Sequence, residues 1–533
     1  MAAQHLINVD LAKVFSSKEK KGLITILGWG DEVEVEEFRS DHIEIRVTQF
    51  ETQPDGSVKP NKVPGFIVPP KAMKPSEVVI PKKQSAVLKI DFVDVQQGDG
   101  SVIETPAGQV ILIDGGDNQM FARYLANRFP KTSAQKPKEI SCILVTHGDA
   151  DHFLGLTKIH ESETEERLKS QPWKRLFIHP ERVYHNGLVK RPGTKDGKKL
   201  PDTLLLGATK VVKENGKDVT LLTGLEDDLL KVDPAEMNEP FQKWQQALKT
   251  FRKRGPIKFR NLQRGDNEAF DFLADEKIKV EVLGPIPTIV GKVEGLRFLG
   301  NPPKGPRVGQ ESLLTDSKGF SGKSASHTIN GHSIIFRLSY GGFNFLFTGD
   351  LNDEAGQVLA REHNQGKLNL QAEVFKVPHH GSADFSGAFV QAVAPVVSIV
   401  SSGDENARKE FIHPRATLMG ALGKHSRVEE PLIFVTELVA FFQVVGPTRS
   451  EIHKFKDDLA VVDKAGIAVV DKKEAKKQSF FAFSRAAFGL VMVRTDGSRL
   501  LVYTNSGQVK MKEAYAFQIN QFGKPEPAQV QQV

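Results

Sequence analysis

The chain has 533 residues, of which 39% are hydrophobic and 26% charged, and a formal net charge of +6. That composition is far from that of a disordered chain and allows about three domain-sized units, or one large α/β domain with insertions. The single cysteine, Cys142, excludes an intramolecular disulfide framework and sits in an apolar run, as a small core residue does.

The mild positive charge permits an anionic substrate without demanding one. The opening segment MAAQHLINVDLAKVFSSKEKKG lacks the basic-then-apolar pattern of a signal peptide. No run reaches the roughly 18 apolar residues of a membrane span. The expectation is a cytoplasmic protein with no membrane partner.

Residues 1–85 read as a separate β-rich module, with strands at Ile24–Trp29 and Ile43–Phe50 and a proline-dense connector from Pro54 to Pro81. The acidic run Asp31–Glu37 reads as a solvated face. From Val87 the texture changes. Strands are predicted at Val87–Val95 and Gln109–Ile113, a helix at Phe121–Phe129, and a doubly buried strand at Ile140–Val145. Residues 161–325 read as a charged insertion with a strand at Lys277–Leu283 and a mobile Ser/Gly/Lys-rich loop at Ser312–Ser326. A hairpin follows at Ser333–Leu338 and Phe343–Phe347, turning at Tyr340-Gly341-Gly342. Further strands are predicted at Val374–Val377, Val396–Val400 and Leu432–Val435. The tail from Phe480 to Phe517 reads as antiparallel strands, with turns at Asp496-Gly497 and Asn505-Ser506-Gly507.

The chemistry concentrates in Thr146-His147-Gly148-Asp149-Ala150-Asp151-His152, directly after a buried strand. Strand ends are where α/β proteins place their sites. Two carboxylates and two imidazoles this close need partners or a metal. The same grammar, an apolar strand ending on Asp or His, recurs at Asp114, at Phe345–Asp350, at Val377-Pro378-His379-His380-Gly381-Ser382 and, in a loop, at His413-Pro414.

With Asp94-Val95-Gln96-Gln97-Gly98-Asp99 and Ile111-Leu112-Ile113-Asp114-Gly115-Gly116 added, these runs over residues 86–425 resemble the metallo-β-lactamase superfamily, in the branch containing the hydrolase domain of the ComEC competence proteins. Aspartate at 149, where many members have histidine, fits that branch. The resemblance implies an α/β fold, an αββα sandwich, between an N-terminal β-rich module (1–85) and a C-terminal β-rich extension (426–533), with the charged insertion at 161–325. It implies two divalent ions, Zn or Mn. His147 and Asp149 would hold one and Asp151 and His152 the other. Asp350 would bridge them. His379 or His380, and His413, would complete the shells, with His379 slightly favoured. His332, or His327 in the same SHTINGHS stretch, stands where many members carry another ligand. Asp114 would order the loops. Asp149 or Asp151 would orient water or move its proton.

The activity implied is phosphodiester hydrolysis, with nucleic acid as the substrate. The basic run Lys249–Arg264, including Lys253 and Arg254 and interleaved with Phe251 and Phe259, could track a phosphate backbone or meet a partner protein. The alternatives are a phosphorylcholine-esterase-like phosphodiesterase for a small or polymer-linked substrate, and a non-catalytic partner-binding protein with a retained metal site. The N- or C-terminal module could recruit such a partner.

Overall fold

The computed structural model describes residues 5–52, 58–301, 320–403, 413–436, 459–463, 466–470, 489–505 and 512–533. Most of the Ser312–Ser326 loop, the Asn505–Gly507 turn beyond Asn505 and the tail before residue 489 lie outside them.

Two sheets form the centre. The larger runs, edge to edge, through Lys258–Asn261, Arg182–His185, Cys142–Leu144, Val110–Asp114, Gly100–Glu104, Leu88–Phe92, Leu490–Thr495, Arg499–Asn505, Ala514–Ile519 and Pro525–Ala528. The smaller runs through Ile278–Gly284, Ile335–Tyr340, Phe343–Phe347, Val374–Lys376, Val397–Val400 and Leu432–Val435.

Strand alternation explains why the sheets stack. In Val110–Asp114, Ile111 and Ile113 enter the layer between the sheets, while Val110 and Leu112 face the opposite way, under helices. Across the middle layer Phe347 stacks on Phe336 at 4.7 Å and on Phe92 at 5.9 Å. The outer face of the large sheet is covered by helices Met120–Arg128, Ala150–Thr164 and Glu239–Arg252. That of the small sheet is covered by Asp353–Asn364, Gly387–Val393 and Ala416–His425. The result is the expected αββα sandwich, with strands apolar on both faces because both faces are covered.

Several expectations change. The proline-dense segment is largely structured: Val58–Ile67 is a strand paired along its length with Ile43–Thr52. Pro60 and Pro64 fit because its other edge pairs with Leu11–Phe15 only at Phe66, so few N–H groups are needed there. The run Ile140–Val145 is two strands. Lys138–Ile140 pairs with Ile178–Pro180, and Cys142–Leu144 enters the large sheet. The charged stretch after residue 161 supplies that sheet's edge, Arg182–His185 and Lys258–Asn261. The C-terminal strands are continuous with the same sheet, through Leu490–Thr495 against Leu88–Phe92.

Parallel pairing sets the position of the site. Val110–Asp114 and Cys142–Leu144 are parallel, as are Phe343–Phe347, Val374–Lys376 and Val397–Val400. Their carboxyl ends, and the loops that follow, gather at one edge of the sandwich.

Candidate metal centre

The motif His147–His152 is only half loop. Ala150 opens a helix that continues to Thr164, with Phe153, Leu156 and Ile159 buried beneath it. Asp151 and His152 therefore sit on its first turn. The helix lies close to its neighbours. A Cβ at Gly155 would stand 1.8 Å from the Gly115 carbonyl oxygen, and one at Gly98 1.8 Å from that of Asp151. Gly98 also has φ +99°, so this approach requires glycine twice over.

Three imidazoles are clamped by their Nδ1 atoms. His152 Nδ1 donates to Asp114 Oδ2 at 2.9 Å. His380 Nδ1 lies 3.2 Å from both Asp99 Oδ1 and the Ser401 carbonyl oxygen. His147 Nδ1 lies 3.3 Å from the hydroxyls of Thr146 and Ser333. Each ring thereby turns its Nε2 inward, the arrangement by which outer partners orient metal-binding histidines.

The inward atoms meet around Asp350. Its carboxylate lies 3.3 Å from His152 Nε2, 3.2 Å from His380 Nε2 and 3.9 Å from His147 Nε2. His380 Nε2 is also 3.6 Å from Asp151 Oδ2, which Gln97 Nε2 holds at 2.9 Å. The three Nε2 atoms and Asp350 Oδ1 are buried with no hydrogen-bond partner. Four such orphans converging on one point would be costly. Two ligands bound tetrahedrally at ~2.1 Å lie roughly 3.4 Å apart, close to the 3.2 and 3.3 Å that separate Asp350 from His380 and His152. The donor set thus fits a divalent cation. Ligand-forming groups arise as His147–His152–Asp350, Asp151–His152–His380, Asp99–Asp350–His380 and, on the Nδ1 side of His152, Asp99–Asp114–His152.

The electrostatics agree. Burial opposes a charge on His152, yet Asp350 and Asp114 hold its pKa well above the ordinary value. Burial likewise opposes a charge on His380, and Asp350 and Asp99 raise it to about 10. Burial, reinforced by the His152 charge, holds His147 well below its ordinary value. Burial would raise Asp350, but His380 and His152 keep it well below the carboxylate range. The carboxylates of Asp350, Asp114 and Asp99 thus favour positive charge at this buried point, which is the field a cation requires.

Not every expected ligand joins. His379 and His380 are on a tight turn, both at φ 51°, rather than on an extended segment. The turn sends His380 into the centre and leaves His379 at the rim, with Nε2 4.0 Å from Asp350. Where the sequence slightly favoured His379, the geometry therefore points to His380. Among the described residues His413 joins none of the ligand groups; its ring lies 6.3 Å from that of His379, and burial lowers its pKa to about 3. His332 Nε2 donates to the Arg297 carbonyl at 2.7 Å, and His327 Nδ1 faces Asp384 at 3.3 Å, so both stand apart. Asp114 accepts from Thr146 N, Thr146 Oγ1 and His152. Asp149 pairs with Lys190.

The basic segment also differs from its reading. Phe251 is fully buried and so offers no base a stacking face. Arg254 binds Glu163 at 2.9 Å and the Ile178 carbonyl at 2.7 Å. Arg260 and Arg264 are paired with Asp266, Glu268 and Glu362. Lys253 is exposed but caps the far end of helix Glu239–Arg252. Phe241, near the other end, is the residue beside Gly148; twelve residues of helix span about 18 Å.

The sequence reading assigned no role to Gln97, Asp99, Lys190, Ser333 or Lys376. Lys376 pairs with Asp99, which in turn faces His380. Gln97 and Asp99 lie in the Asp94–Asp99 run, so the signal was present for them. Lys190 is distant in sequence from every motif.

Residues 93–232 match the family model described as Metallo-beta-lactamase superfamily. Over 98 residues the chain is 33% identical to ComE operon protein 3 of Bacillus subtilis (strain 168), covering 18% of this chain and 12% of that protein. Over 97 residues it is 35% identical to Competence protein ComA of Neisseria gonorrhoeae, covering 18% and 13%. The match spans about an eighth of those relatives. A solved metal-dependent hydrolase of the beta-lactamase superfamily, Tm1679, aligns with 66% of this chain and 96% of its own at 10% identity and a TM-score of 0.28. Residues 93–232 thus carry the metallo-β-lactamase superfamily pattern, and a stretch of about 98 residues resembles the competence proteins. Among the described residues no helix is long and apolar enough to cross a membrane.

Proposed function

We propose that the chain is a metal-dependent phosphodiesterase acting on nucleic acid. The observation that carries this reading is the convergence of His147, His152 and His380 Nε2 with Asp350 Oδ1, all buried and unpartnered. Asp151, His152, Asp350 and His380, with His147 beside them, are the proposed ligands of a divalent cation, zinc or manganese. Such an ion would bring a water's pKa toward neutrality and offset negative charge on phosphoryl oxygens. Asp149 and Asp151 flank the cluster. They are the carboxylates proposed to orient the attacking water or move its proton. Asp99 and Asp114 fix the tilt of His380 and His152.

A polyanionic substrate is supported by exposed positive charge on the segment that follows Lys190. The loop from Lys190 leads into the hairpin Thr194–Lys195 and Lys198–Lys199. Lys195, Lys198 and Lys199 are exposed and, among the described residues, face no carboxylate within ion-pair distance. Similarity to proteins named for competence favours nucleic acid over other phosphodiesters.

The test is purified protein with Mn²⁺ or Zn²⁺ against single- and double-stranded DNA and RNA, beside the double variant Asp151→Ala, His152→Ala. Cleavage by the wild type and a loss of at least ~10³-fold in the variant is expected, since removal of ligands dismantles the group that activates water. Turnover of bis-p-nitrophenyl phosphate without nucleic acid cleavage would transfer the reading to a small phosphodiester. Protein that takes up no metal would leave a binding role instead.

A further inference from the structure

The resemblance gives two cations, with His147 and Asp149 sharing one of them. On that side of the centre the geometry differs. Asp149 joins none of the ligand-forming groups among the described residues, and its carboxylate meets the ammonium of Lys190. Lys190 is held at its root. Its carbonyl accepts from Asn238 N at 2.9 Å, and Leu188 and Val189 just before it are buried. The side chain is 28% exposed and that of Asp149 19%, so the pair sits at the mouth of the site rather than on open surface. The ammonium is close enough for its charge to act on His147 as well.

We infer that Lys190 takes the place of the second cation: the centre holds one divalent ion, among Asp151, His152, Asp350 and His380, and a fixed ammonium on the His147–Asp149 side. The inference rests on the metal-centre reading above and revises its stoichiometry. Asp350 lies within 3.3 Å of both His152 Nε2 and His380 Nε2, and Asp151 lies 3.6 Å from His380 Nε2; His147 Nε2, on the Lys190 side, lies 3.9 Å from Asp350. An ammonium repels a second ion from the same carboxylate. It also offers up to three N–H donors, so it can bind a non-bridging phosphoryl oxygen as a point charge. Lys190 would thereby position substrate where a second metal otherwise would.

Metal content decides the matter. Full-length protein is loaded with excess Mn²⁺, desalted, and measured by native mass spectrometry and elemental analysis. Wild type and Lys190→Arg are expected to retain one ion per chain. Lys190→Ala releases Asp149 and is expected to retain two, with the multiline electron paramagnetic resonance signal of a coupled manganese pair. Because the Lys190 side chain is partly exposed, its truncation leaves the fold intact, which the thermal midpoint checks. Two ions in the wild type, or a single ion in Lys190→Ala, would overturn the inference and leave the metal-centre reading standing. No ion in any of the three would remove both.

Discussion

Asp114 touches His152 and Thr146 but is directed away from the atoms that converge on Asp350. It sits at φ 56°, a strained conformation for a side chain with a Cβ, and is almost wholly buried. Its work is to keep the proton of His152 on Nδ1 and the lone pair of Nε2 inward. Asp114→Asn retains the shape and removes the charge, and an amide can present its N–H₂ to the imidazole instead. Metal affinity is expected to fall by about 10- to 100-fold, the usual cost of losing such an outer partner. Competition with a chromophoric chelator measures it. Unchanged affinity would mean that His152 is oriented by the helix alone. The residues on either side of this pair show what sequence could and could not say. His147, Asp151, His152 and Asp350 were legible as candidate ligands because each follows a strand or opens the helix after one. The choice between His379 and His380 was not, because it depends on a turn with two left-handed residues that no alternation rule describes.

At the scale of elements, the inter-sheet strands were readable because both of their faces are apolar, and runs such as Val110–Asp114 and Phe343–Phe347 carry that mark without ambiguity. The helix Glu239–Arg252 was hidden by its charge. Its buried face, Phe241, Trp244, Leu248 and Phe251, recurs at helical spacing, but the basic residues at its end and beyond give the same stretch the pattern of a phosphate-binding segment. Exposure and pairing separate the two roles. Arg254 is bound to a buried Glu163 and to a backbone carbonyl, so Arg254→Ala is expected to cost about 3 kcal/mol of stability through the carboxylate left alone. It should leave the salt dependence of nucleic acid binding unchanged. Charge reversal of Lys195, Lys198 and Lys199 is expected to do the opposite. If each contacts one phosphate of a single strand, the slope of log K against log salt becomes shallower by about 2. Binding measured by fluorescence anisotropy in EDTA, from 50 to 200 mM salt, keeps cleavage out of the comparison. A slope that moves with Arg254 and not with the hairpin would return the interface to the helix.

At the scale of the whole molecule, the sandwich is tied to its N-terminal strands and its C-terminal strands by buried charge. Arg494, wholly buried, donates to the carbonyls of Trp29 and Ile90 and to Asp91 at 2.7 Å. Arg128 carries the network on, from Asp91 at 2.6 Å to Glu104 at 2.8 Å. Lys89 and Lys82 share the Glu104 carboxylate at 3.4 and 3.1 Å, and Lys82 also pairs with Glu32. Three stretches distant in sequence therefore depend on two carboxylates. Burial alone would push Glu104 up, but Lys89, Arg128 and Lys82 outweigh it and hold its pKa well below the carboxylate range. Burial pulls Lys89 the other way, below the usual lysine value, and Arg128 and Arg494 add to this against the pull of Glu104. The carboxylate is thus the member whose charge the fold favours. Its folded pKa is depressed, so its contribution is complete above the unfolded value of about 4.3 and is lost as pH falls toward the folded one. Glu104→Gln is expected to lower stability by about 3 kcal/mol at pH 7, where four nearby cations are left with one carboxylate fewer. The gap between wild type and variant should then narrow below about pH 4.3, by up to ~1.4 kcal/mol per pH unit, because only the wild type binds an extra proton on unfolding. Urea unfolding at pH 7, 5 and 3 follows both curves. A gap that stays constant across that range would show that the variant suffers from altered packing, and that the ionised carboxylate is not what joins the three stretches.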